Sequence, residues 1–185
     1  MSVLRAARTL GRESDWSLSN LEMQKVLYIA QMLQLGRTGK PLFTNRFEAW
    51  DYGPVVPDLY HAVKQFRYEA VQDVFEVPFF EEDSIEFLSV CDALTMTRHL
   101  SPGQLISYTH RPGGAWEAHR KPNVRGETIP LADIREEWER YMRPSPAAVA
   151  WATAMADEIE ARPSRYLEDT DERAFRARLL GGHLH

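Results

Sequence analysis

Hydrophobic positions in this 185-residue chain recur mainly at helical spacing. Val3, Leu4, Ala7 and Leu10 predict a first helix from Val3 to about Gly11. Ser19-Asn20-Leu21-Glu22 has the form of a capping box, in which the Ser19 hydroxyl accepts from the Glu22 backbone while the Glu22 carboxylate reaches back. Leu18 and Met23 sit one before the cap and four after it, where a hydrophobic staple belongs. Val26, Leu27, Ile29, Ala30 and Leu33 then form a broad apolar stripe that ends near Gly36. Gly39-Lys40-Pro41 is a turn, and Phe47-Glu48-Ala49-Trp50 alternates apolar and polar as a short extended piece. Gly53-Pro54 breaks it. Pro57 opens a helix with Leu59, Tyr60, Val63 and Phe66 inward, and Val71–Val77 is a strand candidate.

The second half repeats this logic. A helix is expected from about Asp83 to Arg98, with Ile85, Leu88, Cys91 and Leu94 on its inner face. Ser101-Pro102-Gly103-Gln104 supplies a cap, a proline at the first helical position and a glutamine at the third. That helix stops at Arg111-Pro112-Gly113-Gly114, and a short turn over Ala115–His119 carries Trp116. Pro130 opens another helix, with Leu131, Ile134, Trp138 and Tyr141 inward. Pro144 and Pro146 mark a boundary, beyond which Ala147–Ala161 and about Thr170–Leu180 are helix candidates separated by Pro163. The expected fold is mainly α: a compact helical domain over residues 1–143 with at most a small two- or three-stranded β element, and a C-terminal helical extension over 144–185.

Composition adds a core and a charge asymmetry. A hydrophobic share of 44% with five tryptophans excludes disorder throughout. No apolar run reaches the ~18 residues of a membrane span, no signal peptide is visible, and the single cysteine cannot form an internal disulfide, so a cytoplasmic protein is expected. The net charge of −5 divides into +4 over residues 1–46, −8 over 47–100 and −1 over 101–185. An acidic middle suits a basic partner or the chain's own basic first third, and is a poor surface for nucleic acid.

Candidate chemistry is thin. Gly36-Arg-Thr-Gly-Lys40 has only two residues between its glycines and a proline after the lysine, so it is a turn and not a phosphate loop. His61, His99, His110, His119, His183 and His185 form no zinc-ligand pattern, and no metal or cofactor is expected. There is no Gly-x-Ser-x-Gly elbow, and Cys91 lies on an apolar stripe where a buried, inert thiol is expected. Residues 101–121 hold two short helices around a glycine turn, yet Pro122 cuts off the basic pair Arg120 and Lys121, so no helix-turn-helix is assigned. We find no catalytic residues and expect no enzyme.

Several ordered motifs resemble the Panacea domain of SocA-like antitoxins. They run from Met23-Gln24-Lys25-Val26-Leu27-Tyr28 through Gly39-Lys40-Pro41-Leu42-Phe43 to Phe47-Glu48-Ala49-Trp50-Asp51-Tyr52-Gly53-Pro54-Val55. Leu105 to His110, then Trp116, and Ile129-Pro130 continue the likeness, which spans about 18–142. The resemblance implies an antitoxin that binds and neutralises a cognate protein toxin. Some relatives, including phage-associated GepA-like proteins, suggest a place in phage defence. In one branch the antitoxin is also an adaptor handing the toxin to a ClpXP-type protease, which is the alternative reading.

For contact with such a partner the candidates are Trp50, Tyr52, Pro54, Tyr60, His110 and Trp116. Gly53-Pro54 makes a rigid bend, and aromatics beside it could be presented as anchors, since they bury large area with few rotors. Trp50 reads more readily as a core ring, and Tyr52 is open between the two roles. His110 is expected at a helix C-terminus, where a protonated imidazole meets the negative dipole end. Tyr28 is read as a core ring whose hydroxyl needs a partner.

Overall fold

The computed structural model describes residues 1–121, 124 and 126–143, and the expected helices after Pro144 lie outside them. In chain order the elements are α1 (Val3–Glu13), α2 (Asn20–Thr38), β1 (Phe47–Trp50), β2 (Gly53–Val55), α3 (Pro57–Val63), α4 (Ile85–Thr97), α5 (Pro102–Thr109), α6 (Ala115–His119), β3 (Thr128–Ile129) and α7 (Leu131–Tyr141). A single 3-10 turn, Lys64–Phe66, extends α3. The fold is mainly α with one small antiparallel sheet of order β2-β1-β3. Glu48 pairs with Val55 and Trp50 with Gly53 across the hairpin, while Phe47 pairs with Ile129 on the other side.

Helix α2 is the axis of the domain. Its start is the expected capping box: Glu22 N–H donates to Ser19 Oγ at 3.4 Å, and Ser19 N–H donates to Glu22 Oε2 at 2.9 Å. Its end is two residues later than the stripe suggested. Gly39, at φ 69, supplies the left-handed cap, and Gly36 stays helical. Gly36 is there for approach: a Cβ on it would lie 2.1 Å from the Trp138 ring of α7. The apolar stripe also understated the burial, because nearly every residue from Met23 to Leu35 is covered. A helix buried all round must then satisfy its own polar side chains. Gln31 does so by accepting from Leu42 N–H at 2.9 Å and donating to Phe43 O at 3.2 Å, which fixes the loop toward β1.

Three expectations are corrected. Helix α4 starts at the Ser84 cap, and its covered residues are Ser89, Val90, Ala93 and Thr97, whereas Ile85 and Leu88 are exposed. Small side chains bring α4 close to α2, and Ser89 Oγ donates to Gln34 Oε1 at 2.8 Å. In α7, Leu131 and Tyr141 are exposed, and the buried partner of Ile134 is Glu137. Val71–Val77 is no strand. Side chains of α1 tie this segment down: Arg8 donates to Val77 O at 2.6 Å and pairs with Asp73 at 2.9 Å, and Arg5 donates to Phe79 O at 2.9 Å. With Arg37–Asp92 at 2.6 Å, these contacts show the acidic middle meeting the basic first third of the same chain.

Candidate functional site

The β1–β2 hairpin stands against the first turns of α2 because α2 holds its backbone. Gln24 accepts from Val56 N–H at 2.8 Å, and Lys25 Nζ donates to Pro54 O at 3.0 Å. Gly53 adopts φ 103, a conformation that favours glycine. A Cβ there would also lie 2.7 Å from Lys25 Nζ and 2.9 Å from His110 Nε2. Two basic side chains therefore converge on a spot that only a residue without a side chain leaves open.

His110 is the C-cap of α5, as expected. Its ring stacks on Trp116 with centroids 3.5 Å apart and planes 6° from parallel. The protonated state expected from the helix dipole is corrected. Burial, then the repulsion of Lys25 and Arg120, lowers its pKa to about 4, although a hydrogen bond with the Tyr52 backbone opposes them. At neutral pH the imidazole is neutral. Its Nε2 is buried with no hydrogen-bond partner among the described residues. Burial likewise lowers Lys25 from 10.5 to about 7, and the side chain is 1% exposed.

Trp116 is buried and donates its Nε1–H to Trp50 O at 2.8 Å, locking α6 to the hairpin. Trp50 donates to Glu48 Oε2 at 2.8 Å and meets Tyr60 edge-on at 5.0 Å. The fold thus brings Trp50, Tyr52, Pro54, Tyr60, His110 and Trp116 together around one hairpin. They differ in access. Pro54 and Trp116 are buried, Trp50, Tyr60 and His110 are half-buried, and Tyr52 is 71% exposed.

Beside the hairpin lies a cavity of about 570 Å³. Lys25 and Gln24 contribute from α2, Trp50 and Tyr52 from the hairpin, Tyr60 and Lys64 from α3 and its extension. Arg67 and Tyr68 complete the rim. Sequence reasoning missed Lys25, Lys64, Arg67 and Tyr68. The available signal was a lysine beside Gln24 at the head of the apolar helical run from Val26 to Ala30. Arg67 carries φ 54 with ψ −108, a strained backbone for any residue but glycine. Tyr68 is 96% exposed.

A second cluster lies one turn along α2. Tyr28 OH donates to Glu137 Oε2 at 2.6 Å, Ala115 N–H donates to the same oxygen at 2.8 Å, and Arg111 Nε donates to Glu137 Oε1 at 3.0 Å. Burial and the adjacent carboxylate push the Tyr28 hydroxyl well above its usual range. This is the hydroxyl partner that the sequence required. Elsewhere, Cys91 is half-buried with its thiol pushed up by burial, which disfavours the reactive thiolate. Among the described residues, no group of three or more His, Cys, Asp or Glu is placed to hold a metal, and no helix is long and apolar enough to cross a membrane.

The body is mainly helical, its hairpin is clamped by α2 and α6, and its sequence places it in a family. Residues 23–117 match the family described as Antitoxin SocA-like, Panacea domain, and the chain belongs to that family. It is also similar to Antitoxin SocA of Caulobacter vibrioides (strain NA1000 / CB15N), at 32% identity over 118 residues. That alignment covers 56% of this chain and 60% of the relative, so the chain spans less than two thirds of the relative's length. No solved structure matches the chain.

Proposed function

We propose that this chain is an antitoxin that neutralises a cognate protein toxin by direct contact, acting in the cytoplasm and without catalysis of its own. The observation that carries the reading is the family match over 23–117, which contains the whole hairpin cluster from Lys25 through Trp50 to Trp116. The physics supports it: a preorganised surface loses little entropy on binding, and exposed Tyr52 and Tyr68 beside a cavity are the residue type that dominates interface energetics. Residues 1–143 are the binding domain in this reading, and 144–185 are an extension of it.

Co-expression with the product of the neighbouring gene tests the proposal. Growth should be rescued, and the two proteins should co-purify as a complex. Failure of both would end it. If rescue requires a ClpXP-type protease and the client's half-life shortens in the presence of this chain, the adaptor reading replaces simple neutralisation.

A further inference from the structure

We propose that the cavity beside the β1–β2 hairpin is a receptor for a carboxylate carried on a partner polypeptide, held by Lys25 at the floor and by Lys64 and Arg67 at the mouth. It rests on the reading of the chain as a protein-binding antitoxin and specifies the chemistry of the segment bound.

Lys25 is the first argument. An ammonium has three donors, and among the described residues the acceptor it meets is Pro54 O. Its neighbour across Gly53 is another base, His110. A buried cation with no counter-charge is costly, and the fold elsewhere avoids the situation by giving Arg111 the Glu137 carboxylate. Lys25 nonetheless lines a cavity large enough for several side-chain atoms, within the ~300–1,000 Å³ typical of ligand sites. A carboxylate entering there would use the remaining donors and balance the charge.

The mouth is the second argument. Lys64 and Arg67 are exposed and form no ion pair among the described residues. The one acidic lining residue, Asp51, stands 3.8 Å from Arg120. The cavity therefore has an excess of positive charge inside a stretch, residues 47–100, that is otherwise strongly acidic. That contrast selects a partner. A nucleic acid presents phosphates in series and is repelled by the surrounding carboxylates, whereas a single Asp or Glu side chain enters a local positive site. Trp50 and Tyr60 offer ring surface to the residues flanking that carboxylate.

Isothermal titration of the full chain tests the idea with two acetylated, amidated tripeptides, tyrosine–glutamate–tyrosine and its glutamine counterpart. The glutamate peptide should bind at least about tenfold more tightly, as expected for a charge-assisted bond. Lys25→Met should erase that preference while the melting temperature is maintained. If Lys25→Met does not fold, the exposed pair Lys64→Glu with Arg67→Glu carries the test and should produce the same loss. Equal affinity for the two peptides, no binding of either, or tighter binding of a single-stranded oligonucleotide would overturn the proposal. Growth rescue by the same variants separates the two readings. Full rescue by a variant that has lost the peptide preference sinks the carboxylate site and leaves the antitoxin intact, whereas failed rescue by the parent chain with the preference present does the reverse.

Discussion

Lys25 and Tyr28 stand on one face of α2, three residues apart, and each anchors a buried polar cluster. Around Tyr28 the charges close. The Glu137 carboxylate receives three donors, one of them the Arg111 guanidinium, so each buried polar atom has a complement. Around Lys25 they do not close, because the group facing it across Gly53 is another base, and both Lys25 and His110 are displaced toward their neutral forms. The difference separates two uses of burial. A satisfied network fixes geometry, here the junction of α2, α7 and the α5–α6 loop. An unsatisfied one keeps hydrogen-bonding capacity in reserve, and this one borders the cavity.

The largest expected effect tests the closed cluster. Glu137→Ala strands the Arg111 guanidinium, the Tyr28 hydroxyl and the Ala115 amide, and should cost about 3–5 kcal/mol in urea denaturation. A loss below about 1 kcal/mol would mean that the two clusters do not differ in kind.

The open cluster should reveal itself in the pH dependence of stability. Lys25 titrates near 10.5 in the unfolded chain and about 7 when folded, so the unfolded state holds more protons between those values. Stability should rise with pH across that window, by up to about 1.4 kcal/mol per unit, and Lys25→Met should remove the rise. His110 falls from 6.5 to about 4 on folding, so its contribution is present above 6.5 and is lost as pH drops through that lower window. Denaturation midpoints at a series of pH values check both limbs. A flat alkaline limb in the parent chain would remove the basis for the comparison.

The smallest effect concerns the rim. Arg67→Gly relieves a strained backbone and should stabilise the fold by about 1 kcal/mol, seen as a melting temperature higher by a few degrees. The same change should weaken the acidic peptide. A variant that gains stability and retains full affinity would make Arg67 a bystander.

Much of the architecture was legible because its determinants are local. Ser19 with Glu22 and Ser101 with Gln104 are each three residues apart, and both form the reciprocal caps their spacing predicts. The convergence of Trp50, Tyr52, Pro54, Tyr60, His110 and Trp116 on one hairpin was visible only as a set of motifs. The bond that unites them, Trp116 to Trp50, spans 66 residues and has no local signature. Glu137 was unreadable for a related reason. It sits beside Glu136 in a polar run, and its burial depends on the arrival of Tyr28, 109 residues away, with Arg111 and the Ala115 amide. Val71–Val77, rich in valine and carrying Phe75, has the composition of a strand, whereas Arg8 of α1 takes up its Val77 carbonyl and pairs with its Asp73. Lys25 escaped because periodicity registers how often polar residues occur and says nothing of whether one is enclosed.

The grip of Gln24 and Lys25 on the hairpin has one more consequence. The outward carbonyl of Pro54 and both backbone groups of Val56 are occupied by side chains of α2, and proline has no amide to offer. Strand β2 is the margin of its sheet, the place where a stray extended chain would otherwise add by backbone pairing. With those positions filled, Pro54 and Val56 have no outward backbone group left for such an addition, and this margin of the sheet is closed there by the protein's own side chains.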